Sequence, residues 1–135
     1  MLYGREHVRA YRDTGGETGH EWQPGVFTLL LTTTRRTSGT EYTTPLIYGE
    51  DGRDYIVVAS KGGADEHPDW YLNLQEDPNV RIQVADRVMD ATARTASSDE
   101  KARLWPMMTR IWPDYDDYAK KTDRDIPVVV LTPQS

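Results

Sequence analysis

Between Val26 and Thr34 the chain reads VFTLLLTTT, a run of apolar and β-branched residues. A half-exposed strand alternates apolar with polar residues, so this run suits a strand buried on both faces. A strand of that kind must be covered from two sides by the rest of the chain. The segment Arg35–Thr40 (RRTSGT) ends it as a turn, with Gly39 supplying permissive backbone. A second strand is expected over Tyr42–Gly49, followed by a hairpin turn through Glu50, Asp51, Gly52 and Arg53 that carries an Asp-Gly signal. Asp54–Ser60 returns as a third strand. The stretch from Lys61 to Pro78 reads as loop then helix, because Pro68 suits a first helical turn and Pro78 cannot continue one. Val80–Val84 and Arg87–Thr95 make a second hairpin. Ser97 and Ser98, followed by Asp99 and Glu100, signal a helix start, and that helix should reach about Ile111 with Pro106 distorting or dividing it. A short helix over Asp114–Lys121 and a closing apolar strand over Ile126–Leu131 complete the series. Six strands joined mostly as hairpins, with short helices between them, specify a mainly β (α+β) chain and an antiparallel barrel-like sheet, not a doubly wound one.

At 135 residues there is room for one domain with one core. Residues 1–25 are polar and glycine-rich and read as an N-terminal arm, with a short helix near Glu6–Asp13 and then loop. The barrel domain is expected over residues 26–135. No apolar run approaches the length of a membrane span, and the N-terminus has the character of neither a secretory signal nor a transit peptide, so the expected location is the cytosol. The chain has no cysteine, which removes disulfides, thiolate nucleophiles and thiolate metal sites together. A net charge of −6 argues against nucleic-acid binding, which draws its affinity from neutralised phosphates. An anionic ligand would have to be held by a local basic patch.

Three constellations carry candidate chemistry. Arg35 and Arg36 stand at the mouth of the buried strand beside Thr34, Thr37 and Ser38. They can grip a phosphate or carboxylates through guanidinium forks and loop amides, or can simply form a solvated basic turn. Ser60, Lys61, Gly62 and Gly63 leave a strand end where backbone can approach a flat ligand, while Trp70 and Asn73 fall three apart on one helical face. The alternative there is a Gly-Gly turn with a core-facing helix. Trp112, Tyr115 and Tyr118 recur at three-residue spacing, the step of one helical face, and can form either core or a substrate wall whose hydroxyls meet developing negative charge. His67 with Asp69 and Ser60 invites a hydrolase reading that no nucleophile-elbow motif supports. His7 and His20 fall in the arm, and no metal-ligand spacing such as H-E-x-x-H occurs, so no metal site is expected.

In order and spacing, the segments LLLTTT, RRTSG, TPLIY, VVASKGG, HPDWYLNL, ARLWPMM, IWPDYDDY and TDRDIPVVVLTP resemble the deazaflavin-dependent nitroreductase family over about Pro24 to Pro133. The resemblance implies a split β-barrel related to flavin-mononucleotide-binding oxidases, a non-covalent coenzyme F420, and a cytosolic or membrane-associated reductase. Its acceptor would be a small electron-poor molecule such as a quinone, enone or nitroaromatic. It further implies a cofactor groove made by Thr34, Arg35, Arg36, Thr37 and Ser38, by Thr44 and Pro45 beside the ring, by Ser60, Lys61, Gly62 and Gly63, and by Trp70 with Asn73. Trp112, Tyr115 and Tyr118 would face the substrate, the two tyrosines as catalytic groups. The sequence departs from the family where Thr37 and Tyr42 stand at usually basic positions, and Arg35 is an added cation nearby. A flavin-mononucleotide enzyme on the same barrel and a non-catalytic F420 carrier are the competing expectations. Exposed barrel edges suit a homodimer, and the arm can swap or lie over the pocket.

Overall fold

The run Val26–Thr34 forms the strand around which the molecule is built. The computed structural model describes residues 2–134. In chain order the elements are helix α1 (Gly4–Asp13), strands β1 (Glu21–Gln23), β2 (Val26–Thr34), β3 (Glu41–Ile47), β4 (Gly49–Asp51) and β5 (Asp54–Val58), a 3-10 turn at Lys61–Gly63, helix α2 (Asp69–Glu76), strands β6 (Asn79–Val84) and β7 (Arg87–Thr95), helices α3 (Ser98–Ile111) and α4 (Asp114–Lys120), and strand β8 (Val128–Pro133). Every strand pairing is antiparallel.

The sheet runs β1-β2-β6-β7-β8-β5-β4, and β3, off this path, pairs with β2 at the end opposite β4. Only Tyr48 separates β3 from β4. The two ends of the sheet are therefore one bent segment, and the sheet curls on itself as a split barrel. Counting β3 and β4 as that single bent strand gives the expected six plus the short β1, but the strand expected over Tyr42–Gly49 is broken at Tyr48 and its second part runs on to Asp51. Among the described residues no ladder joins β3 to β5. Pro45 sits in the middle of β3 opposite Leu30, and having no N–H it offers no donor there to a further strand. The barrel stays open along that side.

Strand alternation sorts the core into two layers. Tyr55 and Val57 of β5 and Val129 and Leu131 of β8 point into the barrel with Leu29 and Leu31 of β2. Ile56, Val58, Val128 and Val130, one residue out of step, pack outward on Leu104 and Met108 of α3 and Tyr115 of α4. Burying each such aliphatic side chain contributes about 1.5–3 kcal/mol. Ser97 caps α3 by accepting from the Glu100 N–H while the Glu100 carboxylate reaches back to the Ser97 N–H. Pro106 was expected to distort or divide this helix; α3 passes through it undivided. Pro106 and Ala102 lie on the exposed face, where water can take up the carbonyl bond that proline cannot supply.

The first 25 residues hold the expected short helix and, beyond it, more structure than the expected loop. Helix α1 places His7 and Tyr11 in the interior, and β1 pairs with the start of β2 where loop was expected. Tyr11 is fully buried; its hydroxyl donates to the Thr28 carbonyl (2.9 Å) and accepts from the Ala85 N–H (2.8 Å), tying α1 to β2 and to the β6–β7 turn. No helix among the described residues is long and apolar enough to cross a membrane.

Burial raises the Tyr11 hydroxyl to about 12. The fold thus favours the neutral phenol, a contribution present below the ordinary tyrosine range near 10 and lost as pH rises through about 12. Tyr11→Phe is expected to lower unfolding free energy at neutral pH by about 1–3 kcal/mol, the cost of stranding two backbone partners. Chemical denaturation across pH 8–12 should also show a shallower alkaline loss in the variant than in the unaltered protein.

Candidate active site

A cavity of about 410 Å³ opens at the split of the barrel. One wall is the free side of β3, with Thr44, Pro45, Leu46 and Ile47; facing it are Val58 at the end of β5 and the turn residues Ser60, Lys61 and Gly62. Trp70, 5% exposed, closes one end from α2. Trp112, Tyr115 and Tyr118 close another from α4 and its approach. The strand-end turn and the three-residue aromatic spacing, remote in sequence, thus meet in one place.

The turn has a shape that only certain residues permit. Ser60 is right-handed (φ −79, ψ −37), and Lys61 (φ 47), Gly62 (φ 63) and Gly63 (φ 84) are all left-handed. A right-handed residue followed by a left-handed one makes successive N–H groups converge, a concavity suited to an anion or a carbonyl oxygen. Lys61 bears the strain of a side chain in that region, about 1–2 kcal/mol. Gly63 is required for a second reason: a Cβ there would lie 2.7 Å from the Tyr118 carbonyl oxygen. The turn and α4 therefore touch through backbone, and Gly63 positions the tyrosine wall without lining the cavity.

Tyr115 is buried against Tyr118, with ring centroids 6.2 Å apart and edge to face. Burial first, and the neighbouring Tyr118 second, push its hydroxyl above the ordinary tyrosine range, so it stays protonated throughout the physiological range. The Trp112 indole N–H donates to the Tyr118 hydroxyl at 3.4 Å. That occupies an acceptor site on Tyr118 and leaves its own proton for another partner.

The first 25 residues, expected to swap or to lie over the pocket, supply a wall whose individual residues sequence reading did not name. Leu2, Tyr3, Gly4, His7 and Trp22 all border the cavity, as does Thr28. Trp22 packs on Trp112 with centroids 5.6 Å apart, Tyr3 meets the Trp22 ring edge-on at 5.7 Å, and the Trp22 indole N–H donates to the Leu2 carbonyl (2.8 Å). His7 Nε2 lies 3.0 Å from the Gly19 carbonyl and 3.2 Å from the Thr28 hydroxyl. The signal was available: Tyr3, His7 and Tyr11 recur at four-residue steps, one face of a helix.

A second cleft of about 290 Å³ holds Arg35, Arg36, Thr37, Tyr42, Asp69 and Asn73. Helix α2 links the two, with Trp70 in the cavity and Asp69 and Asn73 in the cleft. Arg36 donates to the Asn73 side-chain oxygen (2.8 Å) and pairs with Asp69 (3.3 Å), while the Asn73 amide donates to the Thr33 hydroxyl (3.1 Å). The Arg35 guanidinium lies 5.3 Å over the Tyr42 ring, so the added cation and the tyrosine at a usually basic position form one pair. Three expected residues line neither space. Thr34 faces a separate groove beside Glu41 and Arg81, Ser38 is hydrogen-bonded to the Thr40 hydroxyl within its own turn (2.8 Å), and Gly63 is enclosed against α4. His67 accepts from, or donates to, nothing of a triad: its Nδ1 lies 3.1 Å from Arg124 and Asp69 turns to Arg36.

Comparison with known proteins yields a consistent set of likenesses. The family model described as F420H(2)-dependent quinone reductase matches residues 2–133. The F420H(2)-dependent quinone reductase of Mycobacterium tuberculosis strain H37Rv is 40% identical over 131 residues, which is 95% of this chain and 88% of that protein. A solved F420-H2 dependent reductase is 40% identical with a TM-score of 0.71, covering 77% of this chain and 92% of its own. A second solved chain, described as a domain-swapped dimer, is 36% identical with a TM-score of 0.75, covering 94% of this chain and 95% of its own.

The close backbone approach at the turn gives a paired expectation. Gly62→Ala, with nothing within 4 Å of the added carbon, should cost about 1–2 kcal/mol for its left-handed backbone alone. Gly63→Ala should cost about 1–3 kcal/mol more, because α4 must shift to clear the contact. Thermal or urea unfolding of the two variants measures the difference, and equal losses would mean that α4 does not rest on this glycine.

Proposed function

Because this chain belongs to the F420H(2)-dependent quinone reductase family, an oxidoreductase family that uses coenzyme F420, we propose that its cavity and cleft together hold that cofactor and present it to a quinone. The observation that carries this reading is convergence. Thr44 and Pro45, Ser60 to Gly62, Trp70 and the Trp112–Tyr118 wall come from four separate parts of the chain and line one cavity.

The residues present suit the group. The deazaflavin ring, flat and largely apolar, fits between β3 and the Ser60–Gly62 turn, with Trp70 as its end wall. The turn's converging N–H groups suit a ring carbonyl or an anionic oxygen. The acidic tail fits the cleft, where Arg35 and Arg36 are local positive charges on a chain of net charge −6. Asn73 holds Arg36 in place and Tyr42 supports Arg35. Thr34, Thr37 and Ser38 shape this turn, and Gly63 shapes the ring wall through α4.

When bound, a reduced deazaflavin supplies a hydride, two electrons at once. The chain's part is to exclude water, orient the acceptor and stabilise the oxygen that gains negative charge as the carbonyl carbon or conjugated system takes the hydride. Trp22, Trp112 and Tyr3 form an apolar, aromatic wall suited to a quinone ring. Tyr118 has its proton available and Tyr115 is held neutral, so both can donate to that oxygen, and a proton delivered there completes reduction to the hydroquinone. Enones and nitroaromatics, also electron-poor, would be accepted by the same wall. The relative described as a domain-swapped dimer supports a homodimer in this chain as well.

Tyr118→Phe and Tyr115→Phe should each lower kcat with a quinone by roughly tenfold to a hundredfold, the scale of a lost donor to developing charge, with the KM for reduced F420 little changed. Stopped-flow oxidation of reduced F420 by menadione reads both values. Unchanged rates in both variants would leave the hydroxyls without a part in the reaction.

A further inference from the structure

Arg124 lies in the loop between α4 and β8, outside the cavity, yet it makes the densest set of polar contacts near the site. Its Nε donates to the Ala64 carbonyl (2.8 Å), its Nη2 to the Ser60 carbonyl (2.7 Å), and its Nη1 to the Ala59 carbonyl (3.1 Å) and to His67 Nδ1 (3.1 Å). Four of the five guanidinium N–H groups are accounted for by the backbone on either side of the strained turn and by one imidazole. A peptide is planar, with C=O and N–H pointing in opposite directions. Pinning the Ala59 and Ser60 carbonyls on Arg124 therefore aims the Ser60 and Lys61 N–H groups to the other side, where those residues line the cavity.

We propose that Arg124 is a positioning residue that holds the Ser60–Gly63 turn in its ligand-binding shape, and that neutral His67 completes this hold and releases it on protonation. The proposal rests on the cofactor reading above. An imidazole can accept from a guanidinium only while Nδ1 carries no proton, so a protonated His67 meets Arg124 as a second cation and loses the bond. The surroundings favour the neutral ring. His67 is packed on Tyr71, with centroids 4.9 Å apart, and burial first and Arg124 second lower its proton affinity. The other charges near it are committed or directed elsewhere: Glu66 pairs with Lys61 (3.5 Å), Asp69 with Arg36 (3.3 Å), and Asp65 acts on Arg124. Since the folded-state affinity for a proton is below the ordinary histidine value near 6.5, the hold is complete above that pH and is lost as pH falls below it.

The turn's strain explains why such a hold is needed. Lys61 is an L-residue in left-handed backbone, and relaxation of that residue would turn its N–H out of the concavity. A lysine at position 124 would keep the charge but reach the carbonyls one or two at a time, without the planar fork.

The test uses the full chain with Arg124→Lys, Arg124→Gln and His67→Asn, the last keeping an acceptor near Nδ1 that cannot take a proton. Two readouts are compared: amide hydrogen exchange over residues 59–64 without cofactor, and the Kd of oxidised F420 by its fluorescence at pH 7.5 and pH 5.5. Arg124→Lys and Arg124→Gln should speed exchange in the turn while the barrel strands stay protected, and should weaken F420 binding at least tenfold. Acidification should weaken binding more in the unaltered protein than in His67→Asn, the cofactor's own titration being common to both. Protection and affinity retained in Arg124→Lys, or a parallel acid loss in His67→Asn, would overturn the proposal. Failure of the unaltered protein to bind F420 would instead overturn the cofactor reading, and the exchange data would still decide whether Arg124 holds the turn.

Discussion

A sheet whose end strands are consecutive pieces of chain, joined through Tyr48 alone, has to curl until those ends meet. That closure constrains everything else. β2 is wrapped by β3 and β6 along its edges, by the barrel interior on one face and by α1 on the other, which is why Val26–Thr34 can be apolar and β-branched almost throughout. The curl remains incomplete beside β3, where Pro45 withholds a donor, and the opening is the cavity. The His20 side chain bonds the Tyr48 hydroxyl at 2.9 Å, so the bend is also fastened to the N-terminal segment. That contact sits in a low-dielectric setting: burial, then Glu50, raise the Tyr48 hydroxyl to about 12, and burial lowers the proton affinity of His20.

The site follows from placing rigid pieces around that opening. β3 offers a flat wall, the left-handed turn offers backbone N–H groups, and α4 is set against the turn closely enough that only glycine fits at position 63. Charge is local. The chain is acidic overall, yet Arg35 and Arg36 stand at the cleft, and Lys61 and Arg124 flank the turn. Each is already engaged, with Tyr42, with Asp69 and Asn73, with Glu66, or with carbonyls and His67. An anionic ligand therefore meets oriented cations and displaces carboxylate partners, chiefly the exposed Asp69, at small cost.

Most of the barrel was legible because its signals are local. Buried strands, an Asp-Gly turn and the Ser97 cap carry their meaning within a few residues. The break at Tyr48 was not legible, since a bend that closes a sheet has no local signature in a strand-like run. Nor was the continuity of α3 through Pro106, which depends on which face of the helix meets solvent. In the site, the Lys61–Gly63 turn and the tyrosine spacing were readable, and the structure gathers them. That the arm could lie over the pocket was legible, but its wall residues were not, because glycines and charges dominate the composition of residues 1–25 and hide the four-residue step of Tyr3, His7 and Tyr11. Arg124 could not be found by pattern: its partners are carbonyl oxygens some sixty positions earlier, and carbonyls leave no trace in a sequence.

The central claim is that one cavity and its adjoining basic cleft hold a deazaflavin. Parallel equilibrium titrations of the purified protein with oxidised coenzyme F420 and with flavin mononucleotide, read by cofactor fluorescence, test it most directly. The account predicts saturable binding of one F420 per chain, weakened by Arg36→Ala, and no saturable binding of flavin mononucleotide. Tight flavin binding, or F420 binding indifferent to Arg36, would contradict it.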